Sequence, residues 1–317
     1  MLNGSPLAVS MGILKLAYRD NDRTPVIFCI REMAHRFYGV DVKVERIQET
    51  QAYEGALFNG ACDVIIEHLE YLFAGADDRP PVTLFCAPSI RRGLELVVEP
   101  GIGRLEELEG RTMAVRSSGR PHGVTLWLRK MGLEGSVRTV IVKDSEVGRW
   151  GQWKKVADGE CSATFMDPIY LPPALDAGLK VLDVPDIEVV GHFAQACLSS
   201  FPNENPDLFL AYVKSVIHAV CLMKFQRDEA LRIVSQEPMR LMSIQNPAEM
   251  ERQFDCVAKG LQVRPYPTPA ALMNSDDIAA AEYGSGNVNS LAFWDLHWVK
   301  RLDDEGFIDG LIHRLEA

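Results

Sequence analysis

Asn59-Gly60-Ala61-Cys62-Asp63-Val64-Ile65-Ile66-Glu67-His68 and, further along, Asp158-Gly159-Glu160-Cys161-Ser162-Ala163-Thr164-Phe165-Met166-Asp167 lie over one another residue by residue. Each is a Gly-bearing turn, then an apolar run too short for a helix, then an ionisable residue. The turn glycine permits a backbone that other residues avoid, and the run reads as a strand buried on both faces. On this register His68 matches Asp167, and Glu67 matches Met166. The identity is too low for a sequence repeat. What repeats is the order of elements around the two strands.

Upstream of the first copy, Ile13 to Tyr18 reads as a strand and Arg19 to Thr24 as a polar loop. Pro25 opens a helix, where its missing N–H costs nothing, and the helix runs to about Tyr38 before Gly39. Val40 to Ile47 reads as a strand with Val40, Val42 and Val44 on one face. Gln51 to Phe58 is a short helix before the strand Cys62 to Ile66. The second copy is preceded by the same plan. Arg111 to Val115 is a strand, and Pro121 opens a helix that stops at Gly132. Val137 to Val142 is a strand, Gly151 to Ala157 a helix, and Cys161 to Met166 the closing strand. Two βαβαβ segments predict two sheets of parallel strands covered by helices.

Between the segments lies the extended stretch Leu94 to Val98, and after the second lies Ile187 to Val190 followed by Gly191-His192-Phe193. Two extended crossings between two lobes predict a double hinge. The expected fold class is α/β, with lobe one over residues 1–95 and 191–317 and lobe two over 96–190. From Asn205 onward the chain reads as mostly helical. Pro206 to Phe225 places apolar residues on a core-facing side, Asp228 to Ser235 is a further helix, and Leu291 to Leu302 and Glu305 to Leu315 close the chain.

The 317 residues carry 33 basic against 44 acidic side chains, a net charge of −11. Nucleic acid and anionic membrane surfaces are poor partners for that balance. With 47% hydrophobic and 24% charged residues, each lobe has material for a core. No run of about 18 uninterrupted apolar residues occurs, so membrane insertion is not expected. The seven cysteines fall mostly in apolar runs without CxxC or zinc-type spacing and read as reduced core residues. The segment before Ile13 lacks a basic n-region and does not read as a secretory signal. The expected location is cytoplasmic, or periplasmic if a leader has been removed. No cofactor and no metal is assigned.

In open α/β sheets ligands sit at the carboxyl ends of the strands. Those ends give the candidate residues. Arg116, Ser117 and Ser118 enter a helix start near His122, where free N–H groups favour an anion. Glu67 and His68 suit acid–base work if the protein is an enzyme; otherwise they cap or pack a helix start. Asp167 is either a ligand contact or a cap before Pro168, with Tyr170 on the same turn. Asp20 and Arg23 lie in the first loop, with Gln51 and Tyr53 opening the second helix, and His192 sits at the second crossing. Trp150 and Trp153 offer an aromatic wall or ordinary core. Cys29 is a nucleophile only if a histidine approaches it. Trp294-Asp295-Leu296-His297-Trp298 reads as a packing face.

Several stretches over roughly residues 13 to 235 resemble the type II periplasmic-binding-protein fold. They are Leu14-Lys15-Leu16-Ala17-Tyr18, Ala56 to Val64, Leu105-Glu106-Glu107-Leu108-Glu109-Gly110 with the strand after it, and Asn205-Pro206-Asp207. The likeness is to substrate-binding proteins of nitrate, sulfonate and taurine transporters and to the related thiamine-pyrimidine synthase group. Asp20-Asn21-Asp22-Arg23-Thr24 is similar to the opening loop of the dihydroxyphthalate decarboxylase group. The resemblance implies two lobes holding a small organic ligand, with a transporter permease as a further partner. The alternative it leaves open is a decarboxylase or lyase on the same fold, acting on an aromatic carboxylate through Glu67 and His68.

Overall fold

The computed structural model describes residues 10–19, 24–66, 69–73, 79–91, 93–116, 122–190, 193–235, 237–242, 244, 246–284 and 288–316. The chain divides into two compact units. One comprises Met1–Arg91, Val189–Ala279 and Ser285–Ala317; the other comprises Arg92–Glu188 with Ala280–Gly284.

The strands in chain order are β1 (Gly12–Tyr18), β2 (Val40–Arg46), β3 (Val64–Ile66), β4 (Val82–Cys86), β5 (Glu95–Val98), β6 (Thr112–Arg116), β7 (Arg138–Val142), β8 (Ala163–Met166), β9 (Lys180–Leu182) and β10 (Gln195–Leu198). The helices of the first segment are α1 (Thr24–Tyr38), α2 (Thr50–Gly55) and α3 (Glu70–Phe73). Those of the second are α4 (His122–Lys130), α5 (Asp144–Val147), α6 (Trp153–Ala157) and α7 (Leu171–Asp176). The remainder holds α8 (Phe201–Glu204), α9 (Pro206–Phe225), α10 (Arg227–Val234), α11 (Glu237–Leu241), α12 (Pro247–Gly260), α13 (Pro269–Tyr283), α14 (His297–Asp304) and α15 (Phe307–Glu316).

The first unit carries a five-stranded sheet in the order β2-β1-β3-β10-β4, and the second a sheet in the order β7-β6-β8-β5-β9. In both, the βαβαβ segment supplies three parallel strands with its first strand in the middle. The expectation of wholly parallel sheets needs correction, because β10 and β5 run antiparallel to both their neighbours. These two strands directly follow the chain's passages from one unit to the other, so they enter their sheets from the opposite direction. Each sheet is therefore mixed.

Val64, Ile65 and Ile66 are all buried, as a central strand covered on both faces requires. On one face Ala17, Ile65, Leu84 and Ala196 join Tyr53, Leu57 and Leu72 in a common core. On the other, α1 and α9 pack against each other. The 20-residue α9 is long and apolar enough to span a bilayer, which the search for uninterrupted runs missed. Burial of 67% of its apolar window against the unit's own core identifies it as an inner helix. Gly39 (φ 66°) ends α1 in the left-handed region, as the sequence predicts. The expected helix Leu291 to Leu302 is broken. Ser290–Phe293 forms a single 3₁₀ turn, and the Asp295 N–H then donates to Leu84 O (2.9 Å), so the chain follows the edge of β4 before α14 begins.

Candidate functional site

In the second unit the carboxyl ends of β6, β7 and β8 bring together side chains from four separate positions. Arg116, the last residue of β6, gives Nε–H to Asp144 Oδ1 (2.9 Å) and Nη2–H to Asp144 Oδ2 (2.6 Å). Asp144 opens α5, just beyond β7. The guanidinium carbon lies 4.6 Å from the centroid of the Trp150 ring, within cation–π range. That ring also stacks on Tyr170, centroids 5.9 Å apart and planes 18° apart. Arg116 is mostly shielded, with 12% of its side chain exposed. Its Nη1 has no partner among the described residues and remains able to donate.

The loop that presents Trp150 is tightly determined. Trp150 has φ 56°, the one non-glycine residue with positive φ among the described residues. For a bulky side chain this conformation costs on the order of 1–3 kcal/mol and persists only when its surroundings enforce it. Gly151 follows because a Cβ there would collide with the backbone carbonyl of Val147. Gln152, next in line and buried, donates Nε2–H to Phe165 O (2.9 Å) and so ties the loop to β8. Asp167 is buried and accepts the Ile169 N–H (3.0 Å), the capping role before Pro168. His122 is the first residue of α4.

In the first unit Tyr18 ends β1, Arg46 ends β2 opposite Tyr18 and gives Nε–H to Arg19 O (3.1 Å), and Gln195 begins β10. Tyr18, Thr24, Gln195 and Tyr212 are all buried. Thr24 Oγ1 donates to Tyr18 Oη (3.4 Å), and Tyr212 Oη donates to Gln195 Oε1 (2.8 Å). Tyr53 Oη donates to Ile66 O (2.5 Å), holding α2 against the last carbonyl of β3. Glu49 caps α2 by accepting the Gln51 and Ala52 N–H groups, which lowers its pKa.

The structure thus brings Arg116 and Tyr170 together on Trp150 and places His122 and Asp167 at strand and helix ends. Asp20, Arg23, Glu67, His68, Ser117, Ser118 and His192 lie outside the described residues. Sequence reasoning missed Asp144, Gln152, Tyr18, Gln195 and Tyr212. Asp144 had a legible signal, a short polar residue just after an apolar strand. Tyr212 lies on the core-facing side that the sequence pattern gives the helix Pro206–Phe225, where a periodicity argument does not register its hydroxyl. Trp153 packs against the second unit's core, and Trp298 packs on Phe209 (5.3 Å). Cys29 is fully buried and its thiol is pushed up by burial and by Glu32, which disfavours the nucleophilic thiolate. No group of three His, Cys, Asp or Glu gathers among the described residues. Hollows of about 400 Å³ beside β2 and about 310 Å³ near the start of β4 lie away from these strand ends.

No protein-family model matches the chain, and no curated protein is similar to it in sequence. Solved structures are similar in fold. A putative periplasmic sulfonate-binding protein of an ABC transporter from Methylobacillus flagellatus matches with a TM-score of 0.68 and 17% identity, over 94% of this chain and 96% of that one. The periplasmic aliphatic sulphonate binding protein of Escherichia coli matches with a TM-score of 0.62 and 15% identity, over 88% of each chain. A Candida albicans protein described as having the generic periplasmic binding protein fold matches with a TM-score of 0.57 and 15% identity, over 92% and 94%. With two mixed five-stranded sheets of the same strand order, the chain has the type II periplasmic-binding-protein-like fold.

Proposed function

We propose that this chain is a substrate-binding-protein-like module that captures a small organic anion with the loops at the carboxyl ends of its parallel strands. The observation that carries the reading is the fixed group Arg116–Trp150–Tyr170. It presents a guanidinium N–H beside a flat aromatic wall, the combination that suits an acidic head group with an apolar body. The adjoining α4 start adds a helix N-terminus. The sulfonate-binding neighbours support an organic anion as the ligand class. They also support a transporter permease as the protein partner and the periplasm as the setting. No observation favours the enzymatic alternative through Glu67 and His68.

A thermal-shift screen of alkanesulfonates and alkanoates tests the proposal. An anion present at about 100 times its Kd should stabilise the protein by about 2.7 kcal/mol and be recovered unchanged. Arg116→Ala should weaken binding by about 1.5–3 kcal/mol, the scale for hydrogen bonds to charged groups. Asp144→Asn, which leaves the guanidinium without its counter-charge, should preserve or strengthen binding. The reading is wrong if no organic anion shifts the transition at millimolar concentration, or if Arg116→Ala binds as well as the native chain.

A further inference from the structure

Gln152 immediately precedes α6, and Phe165 is the residue before the last of β8. With the two turn-strand stretches laid over one another, Asp158 matches Asn59 and Phe165 matches Ile66, and Gln152 precedes its turn by the same interval as Tyr53. Each pair makes the same tie. Tyr53 Oη donates to Ile66 O (2.5 Å) and Gln152 Nε2 donates to Phe165 O (2.9 Å), so α2 and the start of α6 are each pinned near the carboxyl end of a strand. The tie needs one donor. A phenol supplies it with its single proton. A carboxamide supplies it with Nε2 and brings a carbonyl oxygen, Oε1, that the tie does not use.

Gln152 is only 1% exposed, and its Oε1 has no partner among the described residues. Phe165 O can only accept, so the nitrogen must face it and the oxygen is the atom left over. Buried acceptors are nearly always paired, and an unpaired one carries a desolvation penalty. This one is tied to the carboxyl end of the second unit's sheet, the end where ligands of such sheets bind. Trp150, whose ring carries Arg116, stands two residues before Gln152, a backbone reach of at most about 7 Å. Arg116, Trp150 and Gln152 all belong to one unit. A single short loop thus brings the guanidinium and the spare acceptor to the same strand-end site.

We infer that Gln152 is a specificity-determining residue whose Oε1 accepts a hydrogen bond from an O–H or N–H group on the bound anion. The acidic head lies at Arg116, and the donor lies on the body of the ligand. An acceptor that burial has stripped of water is paired only when the ligand brings a donor, and it penalises an analogue that lacks one. The ligand class narrows to an organic anion bearing a hydroxyl or N–H group. This inference deepens the anion-binding reading above and rests on it.

The test compares ethane-1-sulfonate with its 2-hydroxy and 2-methoxy derivatives, and propane-1-sulfonate with its 3-hydroxy and 3-methoxy derivatives. The methoxy probes keep the oxygen and lose the hydrogen it would donate. Binding is measured by calorimetry on the full chain. In at least one series the native protein should favour the hydroxy member at least tenfold over the other two, and Gln152→Met should bring those ratios near one. The substitution also removes the tie to Phe165 O, so a second measurement uses the native protein alone. There the Gln152 side-chain amide resonances should move on addition of the favoured hydroxy probe and not of its methoxy partner. No hydroxy preference in either series, a preference that survives Gln152→Met, or an amide unmoved by the hydroxy probe overturns the role of Gln152 and leaves the anion reading intact. A native chain that binds none of these probes overturns both.

Discussion

At Arg116 the guanidinium commits two N–H groups to Asp144 and rests on Trp150, so it enters any ligand complex already oriented. Asp144 offsets its charge, which makes Arg116 a directed donor more than a bare cation. The orientation depends on neighbours that carry no charge. Gly151 has no room for a methyl group, because its Cβ would meet backbone atoms of Val147 and Gly148, not a movable side chain. Gly151→Ala should therefore cost about 1–3 kcal/mol in urea denaturation, the range for overpacking. It should also reduce the ligand-induced thermal shift, since Trp150 and Gln152 flank it. An unchanged denaturation midpoint would show that the turn relaxes and that Trp150 is not held as described.

The α1–α9 interface joins two elements far apart in sequence, and it contains a buried ionisable cluster. His218 Nδ1 lies 3.0 Å from Tyr38 Oη, with Phe37 packed at 4.7 Å from the imidazole. Burial, and then the Arg314 charge, lower the His218 pKa from 6.5 to about 4. The unfolded chain protonates this ring near 6.5 and the folded chain only near 4. Between those values the unfolded state binds more protons, so stability is full above about pH 6.5 and declines as pH falls toward 4. The loss from this one group is about 3 kcal/mol. Measured by denaturant titration from pH 7 to 4, His218→Gln should show a shallower decline than the native chain while keeping a hydrogen-bonding partner for Tyr38. Equal slopes would mean that His218 is accessible to protons in the folded state.

For the whole molecule the thiols give a direct check of packing. Cys29, Cys62, Cys86, Cys161, Cys197 and Cys221 are buried and Cys256 on α12 is exposed, and none of these thiols is joined in a disulfide. Burial, first among the causes, pushes Cys62 and Cys221 up to about 12. An aromatic disulfide reagent at pH 8 should titrate one thiol rapidly in the native protein and seven after denaturation. Two or more rapid thiols would place a strand or helix of either unit closer to solvent than the structure has it.

The sequence alone specified what local chemistry controls. The apolar run ending in Val64–Ile66 became a strand because it is too short for a helix and is bounded by a turn glycine. Gly39, Gly60, Gly132 and Gly159 mark turns because each takes a positive φ that other residues resist. It also pointed to the strand ends as the place to look for a site. What it left open was long-range. The insertion of β10 and β5 as antiparallel strands depends on which edges remain after the βαβαβ segments have paired, and no local pattern encodes that choice. The partnerships of Arg116 with Asp144 and of Tyr212 with Gln195, and the left-handed turn at Trp150, depend likewise on distant backbone brought close by burial within each unit. Only the tertiary structure decided them, because each is stabilised by packing across the fold rather than by any preference of the residues themselves.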